Sequence, residues 1–119
     1  MPQRTWRAKF GDAFRGLYDG TRGQGSFAAH FLIAAAVIVA GFVFRVTVIE
    51  WCVLTICIAS VLAAEMFNCA IERLAKAITP EHNEHVGRAL DMASAAVLIT
   101  AFGSVAIGLL IFLPHLMPR

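Results

Sequence analysis

Glu65, Asn68 and Glu72 stand at i, i+3 and i+7 in the segment AEMFNCAIERLAKAI, and Lys76 follows one turn later. On a helix these four residues share one narrow face. The sequence leading into them is apolar, with no charge from Trp51 to Ala64. Ionisable groups at membrane depth are expensive and by default mark function. Two carboxylates and an amide suit a hard divalent cation such as Mg²⁺, which takes oxygen ligands and prefers to share a phosphate. One carboxylate can instead serve as general base toward a hydroxyl. Asp91 opens the next apolar segment just past a polar hairpin, at a similar depth if the two segments pack as antiparallel helices.

Plainer roles compete for the same residues. Glu72 and Lys76 are spaced as an i,i+4 ion pair, and Glu65 with Asn68 can bond a neighbouring helix. Glu65 fits that account less well, because it lies deeper and has no positive residue at helical spacing. His82 and His85 sit in a polar hairpin as E-H-N-E-H, which matches no zincin spacing, and read as solvated. His30 falls one turn into the first apolar run, as an interface residue or a partner of the site; both readings stand. The three cysteines, Cys52, Cys57 and Cys69, form no CxxC and read as reduced packing residues.

The elements that must position these residues are apolar. The chain has 119 residues, 59% of them hydrophobic and 15% charged, against roughly one quarter charged in soluble chains. Its mean hydropathy is +0.72. This composition excludes a disordered chain, a nucleic-acid-binding arm and an ordinary small soluble enzyme. A soluble core of this size cannot hide so much apolar surface. The expected class is an all-α membrane protein with an N-terminal amphipathic helix and three transmembrane helices in one domain, 1–119.

Residues 4–22 carry Trp6, Phe10, Phe14 and Leu17 on one stripe, with Arg4, Arg7, Asp12, Arg15, Asp19 and Arg22 elsewhere. A basic helix with an aromatic stripe suits the membrane interface. Gly20, Gly23 and Gly25 then mark a turn. The apolar run 27–44 is broken only by His30, and no small-residue cleavage site follows it, so no secretory signal is expected. A polar connection, 45–50, leads to a second helix, 51–78, long enough for its last turns to leave the hydrocarbon. A hairpin opens at Thr79 and Pro80, and a third span, 92–113, ends at Pro114. Arg4, Arg7, Lys9, Arg15, Arg22, Arg73, Lys76 and Arg88 fall on one side, and only Arg45 and Arg119 on the other. That bias places the N-terminus and the 79–90 hairpin in the cytoplasm.

The stretch from Ala64 to Ala101 resembles the prokaryotic diacylglycerol kinase family of small integral membrane lipid kinases. E-x-x-N-x-A-I-E at Glu65 to Glu72 and A-x-D-M-x-S-A-A-V-L at Ala89 to Leu98 carry the resemblance, with F-R-G-L at Phe14 to Leu17 in the surface helix. His30, I-E-W at Ile49 to Trp51 and I-F-L-P-H at Ile111 to His115 look more like its undecaprenol kinase branch. The resemblance implies a homotrimer in the bacterial cytoplasmic membrane, in which Mg-ATP donates its γ-phosphate to a lipid alcohol, undecaprenol or diacylglycerol. It implies Glu65 as general base and Glu72 as Mg²⁺ ligand, with Asn68 and Asp91 positioning the nucleotide. Arg15 and Lys76 join the phosphate-binding set, and Gln24 the metal set.

Four positions depart from the family pattern. Gln24 stands for a metal-binding glutamate, Leu90 for a phosphate-contacting lysine, Lys76 for an aspartate and Asn83 for a histidine. Either Lys76 supplies the cation that position 90 lacks, or the chain is a degenerate relative kept as a membrane scaffold or subunit. A transporter would need a polar series through the bilayer, whereas 31–44 and 95–113 offer only Gly, Ser and Thr. There Gly41, Gly103, Ser104 and Gly108 read as helix-packing positions.

Overall fold

The computed structural model describes residues 4–22, 25–78, 81 and 83–117, with the side chains of 25 and 26 left aside. Among the described residues the chain is all helical: α1 (Trp6–Thr21), α2 (Gly25–Val43), α3 (Val48–Ile78) and α4 (Glu84–Leu116). The expected all-α class holds.

Helix α1 starts at Thr5, whose hydroxyl accepts the Ala8 N–H at 3.1 Å. Its aromatic stripe is exposed, and the Lys9 ammonium lies 4.7 Å from the centre of the Trp6 ring. Helix α1 rests against α3. Gly20 is buried against Met66, and Arg73 Nη2 donates to the Asp19 carbonyl at 3.3 Å.

Helix α2 is apolar around its circumference apart from Ser26 and His30, and it stops through a Schellman motif. The Val46 N–H returns to the Gly41 carbonyl at 3.1 Å, and Arg45 takes the left-handed conformation at φ 54°. A capping box then opens α3. The Glu50 N–H donates to Thr47 Oγ1 at 3.1 Å, and the Thr47 N–H donates to Glu50 Oε1 at 2.9 Å. The connection is therefore Phe44 to Thr47, shorter than the expected 45–50, because the 47–50 pair recruits Val48 to Glu50 into the helix. Glu50 also lies 3.5 Å from His115 Nε2 of α4.

Helix α4 begins at Glu84, eight residues before the expected 92. Asn83 is its N-cap, its side-chain oxygen accepting from His85 N at 2.9 Å and Val86 N at 3.2 Å. Much of the polar hairpin is thus the solvent-facing start of α4. Pro114 does not end the helix; it lies in the final turn, which runs to Leu116. His85 is exposed, whereas His82 lies outside the described residues.

The main packing joins α3 to α4 as an antiparallel pair, and its apolar core gathers Val46, Leu54 and Ile111 near the α2–α3 turn. Trp51 packs there against Gly41: a Cβ at position 41 would stand 2.5 Å from Trp51 Cη2. Gly41→Ala is expected to lower stability by about 1–3 kcal/mol through this overpacking, despite the better helix propensity of alanine. Reversible unfolding in mixed micelles measures it. A rise in stability would mean that the indole swings aside freely.

Helices α3 and α4, with 31 and 33 residues, are long and apolar enough to cross a membrane. The apolar part of α2, Phe27–Val43, is shorter, at about 26 Å against a core of ~30 Å. Large apolar side chains such as Leu32, Phe42, Phe102 and Leu110 are more than two thirds exposed, a surface that suits lipid or other copies of the chain and not water.

Candidate active site

Glu65 lies 17 residues after Val48 on α3, about 26 Å along the helix. The carboxylate face is covered within a single chain: Glu65 is 5% exposed and Asn68 is 8% exposed. A third helix does this. His30 of α2 approaches with Nε2 3.5 Å from Glu65 Oε2. Cys69, one turn beyond Glu65, aims its thiol at Glu65 Oε1 from 3.9 Å.

One turn further on, Asn68 Nδ2 donates to Glu72 Oε1 at 3.0 Å. The amide is thereby oriented, and its oxygen is left buried. Among the described residues Asn68 Oδ1 is the buried side-chain acceptor with no hydrogen-bond partner. Such an atom costs about 1–3 kcal/mol unless something fills its place. Glu72 pairs with Asn68 and not with Lys76: among the described residues no ion pair joins Glu72 and Lys76. The i,i+4 ion-pair account of Glu72 therefore does not describe this structure.

Three cavities adjoin this face. The first, about 220 Å³, is apolar and lies between α2, α3 and α4, with His30 at its wall beside Ala34, Leu54, Val61 and Val105. The second, about 590 Å³, runs between the aromatic stripe of α1 and α3, bounded by Phe10, Phe14, Leu17, Met66, Cys69 and Arg73. The third, about 260 Å³, is the polar one, where Glu72 and Lys76 face Asn83, Gly87 and Leu90 across the α3–α4 junction. Cys69 belongs both to the wall of the second cavity and to the Glu65 contact.

The anticipated residues therefore separate into groups. Glu65, Asn68, Glu72 and Lys76 follow one another along α3 as the spacing requires. Asp91 is exposed on α4, and its neighbour Leu90 is the residue that lines the polar cavity. Arg15 is exposed on α1 and bonded at 2.6 Å to Asp12, which also takes Arg4 at 2.6 Å. Gln24 lies outside the described residues. Two participants carried little signal. Cys69 reads as packing because it lies in semi-apolar helical sequence with no CxxC, and Arg73 as one more basic charge, since its partner is a backbone carbonyl 54 positions away.

The face thus carries carboxylates held by nearby partners, with an apolar cavity on one side and a polar cavity further along α3. The family model of prokaryotic diacylglycerol kinase matches residues 11–112. The chain is also 37% identical over 107 residues to undecaprenol kinase of Bacillus subtilis (strain 168), covering 90% of this chain and 87% of that protein. This chain belongs to the prokaryotic diacylglycerol kinase family. It is a membrane protein, and its enzyme class is that of a lipid kinase.

Proposed function

We propose that the enzyme transfers the γ-phosphoryl group of Mg-ATP to the hydroxyl of a membrane lipid alcohol, undecaprenol ahead of diacylglycerol. It would do so at the cytoplasmic interface, as a homotrimer of three-span protomers. One observation carries the reading: a buried carboxylate, Glu65, whose neighbour His30 lines an apolar cavity and which stands about two turns along α3 from Glu72 on the wall of a polar cavity. A lipid hydroxyl and a nucleotide phosphate have such opposite solubilities that a site must offer both surroundings along one face. The preference for undecaprenol is supported by the name of the B. subtilis relative and by the I-E-W and I-F-L-P-H segments.

In this mechanism the lipid hydroxyl oxygen attacks the γ-phosphorus while its proton passes to the Glu65 carboxylate. The bond from γ-phosphorus to the β,γ-bridging oxygen breaks, and ADP leaves. Phosphoryl transfer asks mostly for positioning and charge neutralisation. The donor set fits Mg²⁺: Glu72 and the unpartnered Asn68 Oδ1 are hard oxygens in adjacent turns, and Mg²⁺ typically takes one or two protein carboxylates and completes its shell with phosphate and water. When bound, the ion would neutralise charge developing on the phosphates. Gln24 is the further candidate ligand, and Lys76, Asp91 and Arg15 are the candidate phosphate partners.

Purified protein in mixed micelles with radiolabelled ATP and a panel of lipid alcohols tests the proposal. Labelled undecaprenyl phosphate is expected to exceed labelled phosphatidic acid, with all labelling lost on chelation of Mg²⁺. No labelled lipid from any acceptor would overturn it and favour a scaffold role.

A further inference from the structure

His30 is the one ionisable residue in the helix sequence GSFAAHFLIAAAVIVAGFV. An imidazole in such a helix is costly at membrane depth unless it is paired, and this one is paired. Its Nε2 lies 3.5 Å from Glu65 Oε2, and the two side chains are 19% and 6% exposed. The contact joins α2 to α3 where those helices otherwise meet through apolar surface. It also fixes which edge of the ring faces the carboxylate.

The second observation is the place of the pair. His30 lines the apolar cavity between α2, α3 and α4, whose remaining walls include Ala34, Leu54, Val61 and Ser104. The ring therefore stands between the carboxylate and the space suited to hydrocarbon. Each of χ1 and χ2 of a glutamate has three staggered wells, but only orientations that keep Oε2 near the ring are compatible with this contact. Among the described residues, titratable groups near the pair include Cys69 on α3, through Glu65 Oε1, and Cys57 in the cavity wall.

We propose that His30 is the positioning residue of Glu65. Its ring N–H holds Oε2 and fixes the carboxylate rotamer, so that the proton of an acceptor hydroxyl is taken from a constant direction. The separation shortens to a full hydrogen bond when substrate closes the site, as catalytic contacts commonly do. This rests on the reading of Glu65 as the base. It adds the element that aims that base, and it gives α2 a part in the chemistry.

Two measurements test it, one without turnover. In the first, histidine-¹⁵N-labelled protein in lipid nanodiscs is compared with its Glu65→Gln variant, in the absence of substrate. The His30 ring-nitrogen resonances are expected to shift while those of His115, paired with Glu50 at the other end, stay in place. Unchanged His30 resonances would overturn the pairing. In the second, His30→Leu is expected to lower kcat about 10–100-fold, as loss of a supporting partner does, with the lipid KM unchanged within about twofold. His30→Gln, which keeps an N–H donor, is expected to recover at least a third of the lost turnover, and in a Glu65→Gln background His30→Leu should cost nothing further. A raised KM with unchanged kcat, or additive losses, would overturn the positioning role. Failure of the native enzyme to label any lipid would instead refute the kinase reading, and the resonance comparison would still decide the pair.

Discussion

Glu65→Gln is expected to lower lipid-alcohol phosphorylation by about 10²–10⁴-fold, the contribution typical of a general base. The amide is nearly isosteric with the carboxylate, so the apolar surroundings and helix packing stay as they are. What it loses is the basic oxygen that accepts the hydroxyl proton. Glu65 is 5% exposed, with an imidazole at 3.5 Å and a thiol at 3.9 Å as close neighbours. The variant should bind ATP and lipid with near-native KM, because the residue acts on the proton in transit. Single-turnover labelling in micelles measures the effect. A loss below about fivefold would show that the hydroxyl is deprotonated elsewhere.

Lys76→Ala is the second large effect, expected to cost about 10²–10³-fold in kcat, as does loss of a charge-stabilising group aimed at a developing oxyanion. The geometry supporting it is a shared cavity. Lys76 and Leu90 both line the polar space at the α3–α4 junction, with Glu72 on the same wall. A cation anchored on α3 can therefore reach the region that a side chain on α4 at position 90 would reach. No ion pair ties Lys76 to Glu72 among the described residues, and its side chain is exposed, so its ammonium is available to a phosphate. The matching gain is Leu90→Lys in the Lys76→Ala background, expected to restore at least tenfold of the loss. The steady-state rate against ATP concentration measures both. Near-normal turnover in Lys76→Ala would remove Lys76 from the site.

The active face was legible because helical spacing is rigid. Once residues 51–78 are taken as a helix, positions 65, 68, 72 and 76 must align, whatever packs against them. The start of α4 was not legible to the same degree. P-E-H-N-E-H has the composition of a hairpin, yet the Asn83 side chain caps two backbone N–H groups and turns Glu84 to Asp91 into helix. Pro114 misleads in the same way: a proline commonly ends a helix, but here it falls in the last turn, where little of the helix remains to be broken.

Composition, charge placement and period are properties of the chain alone. They determine that the protein is helical and suited to lipid, that α1 is amphipathic, and that three polar residues and a lysine share one side of α3. Partners across helices are not encoded by any local period. Only packing brings His30 to Glu65 across 35 positions, lays Arg73 on the Asp19 carbonyl, and sets Lys76 opposite Leu90. Only packing, too, buries Glu65 and Asn68 inside one chain while leaving Asp91 and Arg15 exposed. The physical reason is that a helix fixes its own faces through backbone hydrogen bonds, whereas the choice of what each face meets depends on the side-chain surfaces of several helices at once.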